Sequence, residues 1–99
     1  MGEFEQLVLL ALLRLDNDAY GMEVREEIER RIAREVSYGA VYTTLDRLEQ
    51  KGYVAHRMGE STPERGGRAR KYFRVQPEGR AALRATQQAL QIMSEGVRL

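Results

Sequence analysis

Residues 37 to 75 constrain this chain most: a helix with both ends written into it, then two short strands joined by a loop rich in glycine and arginine. Ser37 can accept a hydrogen bond from the first orphan amides, and Gly52 supplies the left-handed residue on which helices end, so the spacing predicts a helix of roughly 14 residues, ~21 Å long. Val41, Leu45 and Leu48 form its buried stripe. At about 100° per residue the opposite face carries Gly39, Ala40, Thr43, Asp46, Arg47 and Gln50, small or hydrogen-bonding groups with no large aliphatic among them. Such a face can enter a DNA major groove. Most polar helix faces are only solvated, however, so the helix alone does not decide.

Charge distribution adds weight. Residues 1–50 hold 6 Lys/Arg against 11 Asp/Glu, a net of −5, whereas residues 51–84 hold 9 against 3, a net of +6. The overall +1 therefore conceals a polar chain whose positive part directly follows the candidate reading helix.

Ninety-nine residues make one small domain with one core. With 42% hydrophobic and 31% charged residues the chain is neither disordered nor membrane-embedded. It has no cysteine, which excludes disulfides, zinc-thiolate sites and a catalytic thiol and suits a cytoplasmic location. Its longest apolar run, residues 7–13, is far below the ~20 residues that cross a bilayer, and no export leader precedes it.

Phe4, Leu7, Val8, Leu10, Ala11 and Leu15 follow helical spacing, with Leu9, Leu12 and Leu13 widening the stripe, so a first helix is expected over residues 3–15. Asp16, Asn17 and Asp18 make a turn. A second helix is expected from residue 20 or 21 to 34, with Met22, Val24 or the Arg25 stem, Ile28 and Ile32 inward and Glu23, Glu26, Glu27, Glu29, Arg30, Arg31 and Arg34 on a solvated face of helical ion pairs. Residues 53–58 and 71–75 have the aromatic and β-branched content of strands; the loop between them holds Gly59, Pro63, Gly66 and Gly67 among Arg65, Arg68 and Arg70. Pro77 opens a last helix at its favoured first position, and Glu78 complements the helix dipole. Along it Leu83, Thr86, Leu90, Met93 and Val97 recur at heptad spacing, a stripe that could fold back on the domain core but is expected to serve self-association through residues 80–97.

The order helix, helix, capped helix, strand, basic loop, strand, long helix resembles the winged helix-turn-helix of the PadR family of transcriptional regulators. The resemblance rests on Gly39-Ala40-Val41-Tyr42-Thr43-Thr44-Leu45-Asp46-Arg47-Leu48-Glu49-Gln50-Lys51-Gly52-Tyr53-Val54, similar to the family's G-x-V-Y-x-x-L-x-R-L-E-x-x-G-Y-V, and on Gly67-Arg68-Ala69-Arg70-Lys71-Tyr72-Phe73, similar to its G-R-P-R-K-Y-Y wing. The first helix and the Tyr20-Gly21 turn match in kind. Ala69 departs from the usual proline, and Val75-Gln76-Pro77-Glu78-Gly79 replaces L-T-P-E-G, losing a threonine cap.

The resemblance implies a mainly α fold with a small β-hairpin, a DNA-binding domain over residues 1–76 and a dimerisation helix over residues 77–99. It further implies a homodimer on double-stranded DNA, bound to a palindromic operator, usually repressing transcription and often relieved by a small-molecule effector. A cavity between subunits would be lined by apolar residues of the first and last helices. Carried over, Tyr42 would contact phosphate, Thr43 and Arg47 base edges or phosphate, and Arg68, Arg70 and Lys71 would hold the wing to the neighbouring groove. Ser37, Tyr38, Ala40 and Arg65 complete the candidate DNA-contacting set. Each has a plainer alternative: Tyr42 as a packing residue, Arg47 paired with Glu49 or Asp46, and wing arginines that only solubilise.

Neither catalysis nor a cofactor is expected. His56 is the sole histidine, expected on the exposed side of the hairpin without a role, and the carboxylates gather around no nucleophile or phosphate loop. The other class of function open to such a fold is a protein-interaction module, but a docking wing favours aromatic or aliphatic side chains where this loop is arginine and glycine.

Overall fold

A computed structural model describes residues 1–59 and 69–99. The elements are α1 (Glu3–Arg14), α2 (Gly21–Ile32), α3 (Tyr38–Gln50), β1 (Val54–Met58), β2 (Lys71–Val75) and α4 (Pro77–Ser94). The two strands form an antiparallel hairpin, giving an α+β winged helix.

Val8, Leu9 and Leu12 of α1, Val24 of α2, Val41, Leu45 and Leu48 of α3, Val54 of β1 and Phe73 of β2 are fully buried together. Each stabilises the fold by about 1.5 to 3 kcal/mol relative to exposure. The α1 stripe is therefore centred on Val8, Leu9 and Leu12, while Leu7, Leu10 and Leu13 are only partly covered. Glu5 is buried too, accepting the Gly2 N–H at 3.3 Å and the Lys51 ammonium at 2.9 Å, which ties α1 to the end of α3.

The expected inward set of α2 needs correction. Val24 and Ile28 are buried, but Met22 and Ile32 are exposed. Met22 lies about 160° round the helix from Val24, and Ile32, the last helical residue, borders an open groove with Leu7, Leu10 and Ile28. Glu27, assigned by spacing to the solvated face, is buried and paired with Arg30. The helix also stops two residues early, because Ala33 turns left-handed at φ 51°.

Asp16 and Asn17 make the turn between α1 and α2, both at positive φ. The Asn17 side-chain amide then does the work of a strand: its Nδ2 donates to the Val75 carbonyl at 3.2 Å and its Oδ1 accepts the Val75 N–H at 2.6 Å. Ala19 pairs with Phe73 through both main-chain bonds, 3.2 and 2.7 Å, adding a one-residue third strand to the hairpin.

Register places Val54 opposite Val75, His56 opposite Phe73 and Met58 opposite Lys71 on one face, with Ala55 opposite Arg74 and Arg57 opposite Tyr72 on the other. Tyr53 stays outside β1, since its N–H returns to the Leu48 carbonyl at 2.9 Å and its carbonyl accepts the Gln76 N–H at 2.8 Å. His56 is half-buried rather than exposed, with Nδ1 2.5 Å from Glu49 Oε2 and its ring against Phe73, so it ties β1 to α3.

Pro77 opens α4 as expected, and Gly79 lets the helix approach so closely that a Cβ there would collide with the Tyr53 carbonyl oxygen. Leu83 closes the chain's own core at 4% exposure, which removes it from the expected intersubunit stripe. Beyond it the helix runs clear of the domain, stretching the molecule to 56 × 28 × 21 Å. Thr86 is half-buried and bonds its hydroxyl to the Ala82 carbonyl at 2.9 Å. Leu90 and Met93 are 55% and 77% exposed. Val97 falls outside the helix, which ends at Ser94 ahead of Gly96 at φ 75°, so the heptad spacing does not carry through to it.

Candidate nucleic-acid interface

The α3 helix is capped as its sequence predicts. Ser37 Oγ accepts the Ala40 N–H at 3.1 Å, and Gly52 adopts φ 79° just past the helix end. Thr44 joins Val41, Leu45 and Leu48 on the buried side. Gly39, Ala40, Thr43, Asp46, Arg47 and Gln50 all face solvent. Arg47 has no ion-pair partner among the described residues; Glu49, one of its two expected rivals, is taken by His56. A 13-residue helix with this exposed face presents small side chains at its centre and a guanidinium toward its end.

One edge of that face is aromatic. Tyr38 and Tyr42, one helical turn apart, stack with ring centroids 5.7 Å apart and planes 6° from parallel. Tyr42 rests on Gly21 at the start of α2, where a Cβ would stand 2.6 Å from its ring carbon Cζ. Tyr42 therefore packs on α2, yet it is 41% exposed. Burial raises its phenol pKa, and the neighbouring Tyr38 adds to the effect while Arg70 partly opposes it. At neutral pH the phenol is a hydrogen-bond donor, suited to a phosphate oxygen.

The aromatic edge continues into the hairpin. Tyr20 meets Tyr72 edge-on at 5.5 Å, Arg70 lies 4.1 Å over the Tyr20 ring and Arg57 lies 4.6 Å over the Tyr72 ring. Tyr72 itself covers Gly59, whose N–H bonds the Arg70 carbonyl at 2.7 Å, so the root of the wing is fixed. Arg57 is held by two bonds to Asp18, 3.2 and 2.8 Å, and that carboxylate raises its pKa. Lys71 and Arg74 are exposed, and Arg70 is half-buried. Arg65 and Arg68 lie outside the described residues.

The charge count along the chain thus overstates the cation available at this face. Lys51 is paired with Glu5 and Arg57 with Asp18. Among the described residues there is no cluster of three or more His, Cys, Asp or Glu that could hold a metal ion, and no helix is long and apolar enough to cross a membrane.

The family model of the PadR-like transcriptional regulators matches residues 9–85, a span that takes in the whole interface just described. The chain belongs to the PadR-like family. It is 37% identical over 100 residues to the transcriptional regulator Rv3488 of Mycobacterium tuberculosis, covering 98% of this chain and 89% of that protein. The crystal structure of a PadR family transcriptional regulator from Eggerthella lenta superposes with a TM-score of 0.76 at 27% identity, over 96% of this chain and 82% of that one. A winged-helix DNA-binding protein from STIV shares the fold, with a TM-score of 0.75 at 16% identity over 99% and 98% of the two chains. The PadR-like chain is a DNA-binding transcriptional regulator rather than an enzyme.

In this PadR-like chain the fold brings Tyr38, Tyr42 and Arg70 together, Thr43 and Arg47 are exposed on α3, and Ser37 serves as the helix cap. Sequence reasoning missed Tyr20, Tyr72, Arg57 and Arg25, which complete or support the aromatic edge. A signal for part of it was present, in the i, i+4 spacing of Tyr38 and Tyr42; the rest depends on the hairpin folding back to α2.

Proposed function

We propose that the chain acts in the cytoplasm as a homodimeric repressor that places one α3 in each half of a palindromic operator. The observation that carries this reading is the exposed α3 face, free of large aliphatics and bordered by the phenols of Tyr38 and Tyr42 and the guanidinium of Arg70. Thr43 and Arg47 meet base edges or phosphates, Tyr38 and Tyr42 donate to phosphates, and Ala40 allows close approach. Lys71 and the loop residues Arg65 and Arg68 grip the adjacent groove. An exposed protein-docking surface would be richer in apolar side chains.

The dimer forms through the second half of α4, where Leu90, Ile92 and Met93 stand in solvent. Thr86 borders the same contact. The groove lined by Leu10, Leu13, Leu83, Arg80, Arg84 and Gln87 between α1 and α4 is where a small-molecule effector would sit once a second subunit closes it. Capture of genomic DNA on the purified chain, followed by sequencing and gel shift, tests the reading. A short inverted repeat bound in preference to scrambled duplex is the expected result, and indifference to sequence overturns it.

A further inference from the structure

Two of the charged side chains on α2 do more than face solvent. Arg25 Nε donates to the Val36 carbonyl at 2.7 Å, and Glu29 Oε2 accepts the Val36 N–H at 2.9 Å. The same two side chains approach each other at 3.5 Å across one helical turn. Both main-chain polar groups of a single turn residue are therefore held by one ion pair. Val36 also buries its own side chain in the core.

This matters because residues 33–37 join α2 to α3 without regular structure, starting from a left-handed Ala33. Among the described residues, no other side chain bonds the main chain of residues 33–36. Arg25 reaches further. Its guanidinium lies 5.3 Å from the Tyr38 ring centroid, and Tyr38 stacks on Tyr42, which sits on Gly21 of α2. The start of α3 is thus held to α2 by its main chain through Val36 and by its aromatic edge through Tyr38.

We propose that Arg25 and Glu29 are positioning residues for DNA reading: they set the pitch of α3, so that part of the sequence discrimination resides in α2 side chains that touch no base. The inference rests on the DNA-binding reading above. Its leverage follows from length. A tilt of about 5° at one end of a helix ~20 Å long displaces the other end by roughly 1.7 Å, enough to break hydrogen bonds that tolerate only a few tenths of an ångström. Arg25 acts through its planar fork and its stack on Tyr38; its charge is matched by Glu29.

The test uses the full chain and the variants Arg25→Ala, Arg25→Lys and Glu29→Gln, titrated against the captured operator and a scrambled duplex over a salt series. Arg25→Ala should weaken operator binding about tenfold and scrambled binding by less than about twofold, with the salt slope unchanged. Arg25→Lys should not restore discrimination, because lysine keeps the charge and loses the fork. Glu29→Gln keeps an acceptor for the Val36 N–H and should fall between. Equal losses on both duplexes with the slope reduced by about one unit per subunit would show a phosphate contact instead, and full rescue by lysine would show that charge alone matters. Either overturns the proposal.

Hydrogen exchange on the free protein tests the clamp independently of DNA. Arg25→Ala should selectively deprotect amides 36–41, and unchanged protection there refutes the clamp. If the unmodified chain fails to distinguish the two duplexes, the DNA-reading assignment is what has failed, and the exchange result alone decides whether the pair positions α3.

Discussion

Gly21→Ala is the sharpest probe of how the phenol of Tyr42 is placed. A Cβ at this position would stand 2.6 Å from Tyr42 Cζ, 2.8 Å from its hydroxyl and 2.9 Å from Cε1. Ordinary carbon contacts are about 3.5 to 4.0 Å, so the ring must retreat by about 1 Å. It has room to do so, being partly exposed, and alanine favours the helix over glycine by up to about 1 kcal/mol. Folding stability should therefore change by less than about 1 kcal/mol. DNA binding should not be spared. An O–H···O bond of about 2.7 Å, stretched by 1 Å, is lost, and a hydrogen bond to a charged group contributes about 1.5 to 3 kcal/mol. Two such losses per dimer, taken at the low end, give a ~10²-fold weaker complex. Tyr42→Phe, which keeps ring and stack, should match that loss, and neither variant should change the salt slope because the phenol is neutral. Fluorescence anisotropy at fixed salt and urea unfolding supply the measurements. If Gly21→Ala binds as the unmodified chain does while Tyr42→Phe is weakened, the seat on α2 does not place the phenol.

Replacing Leu90 and Met93 together with glutamate should give folded monomers by sedimentation; a persisting dimer would move the interface off α4. Ala33→Gly relieves a left-handed alanine that costs about 1 to 2 kcal/mol, partly offset by glycine's greater freedom when unfolded, so a urea midpoint higher by the equivalent of about 0.5 to 1 kcal/mol is expected. The Lys51 ammonium holds the Glu5 carboxyl below its ordinary value of 4.5, with further help from the Gly2 N–H and opposed by burial. The pair's contribution is therefore complete above that value and is lost as pH falls through the depressed folded pKa; Glu5→Gln should cost about 1 kcal/mol at neutral pH and flatten the acid limb of the stability curve.

What is legible in the sequence is whatever neighbouring residues determine. Ser37, Gly52 and Pro77 mark helix ends by their own chemistry, and the two strands fall within one residue of their expected spans. The departures share a different cause, which is dependence on distant chain. Asn17 stands in for a strand only because Val75, 58 positions on, returns beside it. Arg25 and Glu29 have the spacing of an ordinary helical pair, and nothing local reveals that residue 36 comes back between them. Ala33 ends α2 without a glycine to announce it. Val97 fits the heptad arithmetically, but Gly96 has already turned the chain. At the interface, Tyr42 and Arg47 were legible from the helical wheel, whereas Tyr20, Tyr72 and Arg57 required the hairpin to be folded against α2.

The pairing of cations also bounds the salt response. Of the nine cations in residues 51–84, Lys51 and Arg57 already have carboxylates, Arg80 and Arg84 line the α4 groove, and Arg74 is exposed on β2 opposite Ala55. Arg70 and Lys71 remain at the wing root, Arg65 and Arg68 follow in the loop sequence, and Arg47 joins them from α3. If all five neutralise phosphates, a dimer engages about ten, and at ~0.9 per phosphate the slope of log affinity against log salt reaches about −9; without the loop pair it is about −5. A slope steeper than −9 would mean that Arg74 joins the contacts or that Lys51 or Arg57 leaves its carboxylate on binding; Arg74→Ala restoring about −9 identifies the first case, and tighter binding by Asp18→Asn, which frees Arg57, the second. A slope shallower than −5 would remove Arg47, Arg70 or Lys71 from the phosphate contacts. The slope therefore measures whether the ion pairs seen in the free chain survive in the complex, a question that the net charge of the segment cannot address.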